Sequence, residues 1–299
     1  MSAAQSDLST LLNPALIPEL RRIELRTRRV VSTDLIGHYR SAFRGSGLVF
    51  SELREYQPGD DVRHINWRAT ARTGRVYVKS FEEERHLNII LALDISASTA
   101  FGPARSRQER AREFAALLAV LASRSGDSLG LALFSDKIDL LLPPASRRFQ
   151  LYRVLYELLN EHGFQDRTDL AASLQALHGK LRRRSVIFLI SDFLSPDFES
   201  ELLTLAFRHD VILVLPEDPA EHQLPAAGLV RLRDPESGEI VLVDSSSPAL
   251  RAELQSAYTK RLRELQELCD RADCDLLRVQ TSPLAPLAEL MRKRSARMR

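Results

Sequence analysis

Leu87-Asn88-Ile89-Ile90-Leu91-Ala92-Leu93-Asp94-Ile95-Ser96-Ala97-Ser98 is the stretch on which the fold turns. Its first seven residues are almost continuously apolar, the pattern of a strand buried on both faces of a parallel sheet. Where the run stops, a carboxylate and two hydroxyls follow at alternate positions: Asp94, Ser96 and Ser98. An oxygen-rich loop beyond a buried strand suits a hard divalent cation such as Mg²⁺, which takes oxygen ligands and keeps several waters.

Outward from this stretch the texture repeats. Leu129 to Phe134, Ser185 to Ile190 and Val211 to Leu215 are further short apolar runs. Helical patterns lie between them. The first begins near Ser106, where Ser106 and Glu109 make a capping box, and Phe114, Leu117, Leu118 and Leu121 then recur at helical spacing. Others run from about Arg148 to Leu159, Asp169 to Leu181 and Asp197 to Phe207. Alternating strands and helices predict an α/β fold with a mostly parallel sheet and right-handed crossovers. Downstream, Arg231 to Val243 reads as a hairpin turning at Pro235-Glu236-Ser237-Gly238. A long charged helix near Pro248 to Arg271, a strand Asp275 to Val279 and a helix from about Pro283 complete the chain.

Upstream, residues 1 to 12 read as a frayed terminus and Pro18 to Val31 as a short amphipathic helix. From Gly45 to Phe81 the composition shifts to glycine, aromatics and paired charge, with alternating runs such as Arg75-Val76-Tyr77-Val78-Lys79. Turns are expected at Pro58-Gly59-Asp60 and Thr73-Gly74. The organisation expected is therefore a helical extension over 1–36, a β-rich segment over 37–86, an α/β domain over 87–283 and a basic helix or tail over 284–299.

Composition sets the outer bounds. The chain has 299 residues, 44% hydrophobic and 27% charged, with a formal net charge of +2. That is ordinary for a globular protein, and the near-neutral total argues against a nucleic-acid binder. Cys269 and Cys274 have no histidine close by, so idle thiols in a reducing cytoplasm are expected rather than a zinc site. Arginines interrupt the one candidate leader, and no apolar stretch approaches the roughly 20 residues of a membrane span. A cytoplasmic protein is the expectation.

Ligands of open α/β sheets sit beyond the carboxyl ends of the strands. Three oxygen-rich segments fall at such boundaries: Asp94/Ser96/Ser98, then Arg167-Thr168-Asp169, then Ser191-Asp192-Phe193. Taken singly, each has a blander meaning, because Asp, Ser and Thr also cap helices and build turns. Asp192, for instance, could cap the stretch that opens at Pro196-Asp197. Without a cation, Asp94 and Asp192 held together would repel and raise at least one pKa.

In this order the motifs resemble the metal-ion-dependent adhesion site of von Willebrand factor A domains. The resemblance implies Ser96, Ser98 and Thr168 facing a cation directly or through water, with Asp94 and Asp192 often acting through water. It implies Mg²⁺, with Mn²⁺ or Ca²⁺ as substitutes. Upstream, Gly45-Ser46-Gly47 and the run from Leu53 to Gly74 resemble the hallmark of the bacterial family called domain of unknown function 58. Arg54, Tyr56, Gly59, Asp60, Asp61, Arg63, Trp67 and Arg72 carry that signature. Asn66 stands where the family usually has Asp, and Arg167 precedes Thr168 where adhesion-type sites often have glycine. The resemblance implies a von Willebrand factor A-like domain acting with MoxR-type AAA+ ATPases, and with other von Willebrand factor A proteins. A partner's Asp or Glu would complete the metal shell.

From the residues themselves, the signature block reads first as a scaffold junction. Asp60 and Asp61 are expected to pair with nearby arginines and Trp67 to pack against the sheet. The arginine-rich end from Met291 to Arg299 reads as a solvated helix end. Two functions remain in play: a cation-dependent protein-binding module, or a metal-dependent hydrolase in which Asp94 and Asp192 hold the ion. Neither a G-x-S-x-G elbow nor a phosphate-binding P-loop motif occurs.

Overall fold

In a computed structural model of the chain, the structure describes residues 25, 27, 31–43, 48–83, 87–96, 107–160, 168–217, 226–233, 240–280 and 282–297. Ser98, Ser106, Arg167 and the turn at 235–238 lie outside them.

A six-stranded sheet carries the fold. Its strands are β3 (Asn88–Asp94), β4 (Ser128–Phe134), β5 (Ile138–Ala145), β6 (Val186–Ile190), β7 (Asp210–Pro216) and β10 (Asp275–Val279), in the order β10-β7-β6-β3-β4-β5. All neighbouring pairs are parallel except β4 with β5. β3 is central, and its alternate residues face opposite layers. Ile89, Leu91 and Leu93 join one apolar cluster, and Ile90 and Ala92 the other. Burial on both faces explains why the strand reads as one apolar run rather than an alternating one.

The layer against Ile89, Leu91 and Leu93 is built from α1 (Thr33–Ala42), α3 (Arg107–Ser125), α4 (Arg148–Leu159) and α8 (Leu284–Arg297). The opposite layer is built from α5 (Leu170–Lys180), α6 (Glu199–Arg208) and α7 (Pro248–Ala272). This is the mostly parallel, helix-flanked architecture that the resemblance to von Willebrand factor A domains implies. The ribbon of β8 (Leu229–Arg233) and β9 (Ile240–Asp244) is the expected hairpin.

The edge strand β5 was absent from the sequence reading. Pro143-Pro144 conceals it, since proline cannot donate to a ladder and is confined to edges or bulges. The buried Gln150 side chain compensates by donating to the carbonyls of Leu129 and Pro143, at 3.0 Å each. Gly130 of β4 permits the close approach: a Cβ there would lie 2.8 Å from both Ile90 Cδ1 and the Leu142 carbonyl oxygen.

The helix α1 runs across the expected junction at 36/37 and is docked into the main core by Leu35, Tyr39 and Ala42. Tyr39 donates its hydroxyl to Asp127 at 2.7 Å, and burial with that carboxylate pushes the phenol well above its usual pKa. The other oxygen of Asp127 accepts from Leu87 N–H at 2.9 Å, which ties α1 to the entrance of β3. In the basic C-terminal helix, Arg292, Lys293 and Arg297 are exposed as expected of the run from Met291, whereas Met291 and Arg294 are not. Leu287, Leu290 and Met291 are buried, and Arg294 lies over the Phe43 ring while pairing with Asp210 and Asp275.

Between α1 and β3 lies the signature segment. β1 (Leu48–Glu55) pairs antiparallel with β2 (Tyr77–Glu83), and a 3₁₀ turn (Val62–His64) and α2 (Trp67–Thr73) fill the connection. Asp60 binds Arg54 through both oxygens, at 2.6 and 2.8 Å, as the charge pattern suggests. Asp61 caps the 3₁₀ turn through Arg63 N–H, and Asn66 caps α2 by accepting from Ala69 N–H at 3.2 Å. A neutral amide suffices for that cap, so the departure from the family's Asp is absorbed locally. The turn expected at Thr73-Gly74 is the end of α2, with Gly74 as its left-handed cap at φ 73°. Trp67 overturns the expectation of packing against the sheet, for it is 68% exposed. The reason is helical phase: α2 turns Ala69 and Thr70 inward, where Thr70 Oγ1 accepts from Tyr77 N–H, and so directs Trp67 and Arg72 outward.

Candidate functional site

The site is built where β3, β4 and β6 end. Asp94 is the last residue of β3 and is 1% exposed. One of its oxygens accepts from Ser96 N–H at 3.0 Å, and the other accepts from the Ser191 hydroxyl at 2.7 Å. Burial, and then the Asp192 carboxylate nearby, push the Asp94 carboxyl up to about 6 against the pull of the Ser191 and Ser96 hydrogen bonds. Ser96 is fully buried beside them.

Asp192 follows β6 and does not cap α6. Its Oδ1 accepts from Leu194 N–H at 3.0 Å, a local Asx turn, while Oδ2 receives Arg107 Nη1 at 2.5 Å. Both side chains of that ion pair are buried, at 2% and 7% exposure. Arg261, from α7, donates to the Asp192 backbone carbonyl. The next residue, Phe193, adopts φ 54°, a left-handed conformation that costs a bulky residue on the order of 1–3 kcal/mol. It is held there by Ser191 Oγ, which accepts from Phe193 N–H at 3.1 Å, and by packing on Phe198 at 6.1 Å between ring centroids.

Thr168 is brought in by two sets of hydrogen bonds. Asp169 N–H donates to the Ser135 carbonyl just beyond β4, and Asp169 Oδ1 then caps α5 through Ala172 N–H. On the other side, Ser195 Oγ lies 3.4 Å from the Thr168 carbonyl and accepts from Leu170 N–H. Ile95 N–H donates to the Phe134 carbonyl, so the loops after β3, β4 and β6 and the start of α5 form one connected rim. Of the five expected ligands, Asp94, Ser96, Thr168 and Asp192 are thus placed on that rim, and Ser98 lies outside the described residues.

The donor set fits a hard cation on two grounds. Its groups are carboxylate and hydroxyl oxygens, the chemistry Mg²⁺ prefers. Moreover, the Thr168 hydroxyl is buried without a hydrogen-bond partner among the described residues, which is costly unless something occupies it. Among the described residues, no three His, Cys, Asp or Glu side chains gather as a metal site of the usual kind. Cys269 and Cys274 are free and buried.

Arg107 and Arg261 are site residues that sequence reasoning missed, and Ser191 stood in the segment Ser191-Asp192-Phe193 with no role assigned to it. Arg107 meets Asp192 from 85 positions away, and nothing in its own neighbourhood distinguishes it from the other arginines of α3. Ser191 carried a signal, being next to Asp192 and directly after an apolar strand.

The family described as "Protein of unknown function DUF58" matches residues 52–264. The uncharacterised protein Rv1480 of Mycobacterium tuberculosis is 32% identical over 273 residues, covering 90% of this chain and 86% of its own. Among solved structures, the conserved hypothetical protein BatB from Bacteroides thetaiotaomicron is similar at a TM-score of 0.45 and 17% identity, over 70% of this chain and 99% of that one. The SpRpn10 VWA domain is similar at a TM-score of 0.38 and 14% identity, over 69% and 95%. None of the described helices is long and apolar enough to cross a membrane. Because that match spans well over half of the sequence, the chain belongs to the DUF58 family.

Proposed function

We propose that this protein is a divalent-cation-dependent binding module of the von Willebrand factor A type, which acts with a MoxR-type AAA+ ATPase in chaperone-like maturation of protein complexes. The observation that carries the reading is the convergence of Asp94, Ser96, Thr168 and Asp192 on one rim, with the Thr168 hydroxyl unpartnered among the described residues. Those residues, with Ser98, would hold Mg²⁺, or Mn²⁺ or Ca²⁺ in its place. The bound cation would supply a positive charge with a coordination position open to a partner's Asp or Glu, from the ATPase or from another von Willebrand factor A protein.

The chain's own residues hold that rim in place. Ser191 and the Ser96 backbone hold Asp94, and Arg107 and Leu194 N–H hold Asp192. Carboxylates restrained in this way are suited to orienting a ligand.

The test is a pull-down of a MoxR-type ATPase in Mg²⁺ and in EDTA, alongside Mn²⁺ binding followed by electron paramagnetic resonance. Capture and Mn²⁺ binding are expected for the natural chain. Both should be lost when Ser96→Ala and Ser98→Ala are combined, with circular dichroism unchanged. Capture that persists in EDTA, or in the double variant, would overturn the proposal.

A further inference from the structure

The opposite end of the sheet from this rim carries a second surface. At the amino-terminal ends of β6 and β7, Arg182, Arg183 and Arg184 are exposed in the loop that leads into β6, and Arg208 is exposed at the end of α6. Arg208 Nη2 donates to the Arg182 carbonyl at 2.6 Å, which joins the loop to the helix end. None of these four arginines has a carboxylate partner among the described residues. The neighbouring strand-start carboxylates, Asp210 and Asp275, are held by Arg294 and Arg297. The uncompensated field is felt underneath. His209, buried with both ring nitrogens unpartnered among the described residues, is pushed down to about 4, first by burial and then by Arg208, His178 and Arg184.

Beside the cations stands an apolar ridge. Phe207 is 96% exposed, and Leu203, one helical turn earlier on the same face of α6, is 40% exposed. Leu202 and Leu205 already anchor the helix in the core, so nothing in the fold requires an aromatic at 207.

We propose that this pole is a docking surface for an anionic lipid bilayer, with Phe207 and Leu203 entering the interface and the four arginines lying among acidic headgroups. Exposed apolar side chains flanked by unpaired cations are the pattern of an interfacial membrane contact. A polyanionic nucleic acid would match the charge, but an aliphatic leucine offers a base nothing to stack on, whereas it and the phenylalanine both suit the acyl boundary. Docked by this pole, the protein would turn the Asp94–Asp192 rim away from the bilayer, open to a partner in solution.

The test is flotation of the full chain with vesicles of phosphatidylcholine containing phosphatidylglycerol, against vesicles of phosphatidylcholine alone. Binding is expected to the anionic vesicles and is expected to weaken at high salt. Each arginine removed should cost about fivefold, so Arg183→Gln with Arg184→Gln should weaken binding roughly 25-fold. Phe207→Ser, at a fully exposed position that leaves folding intact, should weaken it about tenfold. The tryptophan of Phe207→Trp should shift its emission to the blue on anionic vesicles. Equal binding to neutral vesicles, no binding to either, or tighter binding to single-stranded DNA than to anionic vesicles would overturn the proposal.

Discussion

Replacing Arg107 by glutamine isolates the charge balance of the rim. The guanidinium lies 2.5 Å from Asp192 Oδ2, with the side chains 7% and 2% exposed. Its loss leaves a buried carboxylate supported by Leu194 N–H and close to a second carboxylate, Asp94. Removing one partner of a buried ion pair costs about 3–5 kcal/mol, and domains of 150–250 residues lose about 2–4 °C of Tm per kcal/mol. The Arg107→Gln protein in EDTA should therefore melt about 6–20 °C below the natural chain. If the proposed divalent cation sits between Asp94 and Asp192 it would restore positive charge at the same place, so Mg²⁺ should raise the Tm of Arg107→Gln by more than it raises that of the natural chain. Calorimetric scans at pH 7.5 with EDTA and with excess Mg²⁺ read both effects, and Arg107→Lys, which keeps the charge, should lose less. An equal loss with and without Mg²⁺ would refute the idea that Arg107 and the cation answer the same carboxylates.

Three further outcomes are expected. Asp94, held at about 6 in the fold against 3.8 for a free carboxyl, is less stable ionised than protonated. Its penalty is absent below pH 3.8 and full above pH 6. Asp94→Asn should thus raise the cation-free stability at pH 7 by up to about 3 kcal/mol, less the value of any hydrogen bond lost, and abolish the Mg²⁺-induced rise. Chemical denaturation would contradict this if the variant were less stable in EDTA. His209, held at about 4 against 6.5, is buried neutral. Its contribution is complete above pH 6.5 and is lost as the pH falls towards 4, by up to about 3 kcal/mol. His209→Leu should flatten urea stability across that window, and an unchanged slope would remove His209 as the cause. Gly130→Ala would set a Cβ 2.8 Å from the Leu142 carbonyl and should cost about 1–3 kcal/mol by urea unfolding; a neutral result would mean β5 yields freely.

The elements that were legible in the sequence are those whose burial is complete. β3, β6 and β7 lie between two helical layers, and the helices at Arg148–Leu159 and Leu170–Lys180 bury one periodic face. β5 was not legible, because an edge strand buries little and its prolines imitate a loop. Trp67 was misplaced because a large aromatic is assigned to a core by type, whereas the phase of a seven-residue helix set between two capping residues determined its direction. The burial of Met291 and Arg294 in α8 is likewise not legible, because a run of arginines dominates the local reading.

The sequence by itself determined the alternation of buried strands and helices, and with it the oxygen-rich ends of the strands, because apolar periodicity and the residues that interrupt it are local properties of a chain. What it could not determine was the company those ends keep. That Ser191 would hold Asp94, that Arg107 would cross from α3 to meet Asp192, and that Arg261 would fix the carbonyl beside it depend on strand order and helix placement. Charges buried together interact strongly through a low dielectric whatever their separation along the chain, so tertiary structure alone decided which positive group answers the two carboxylates.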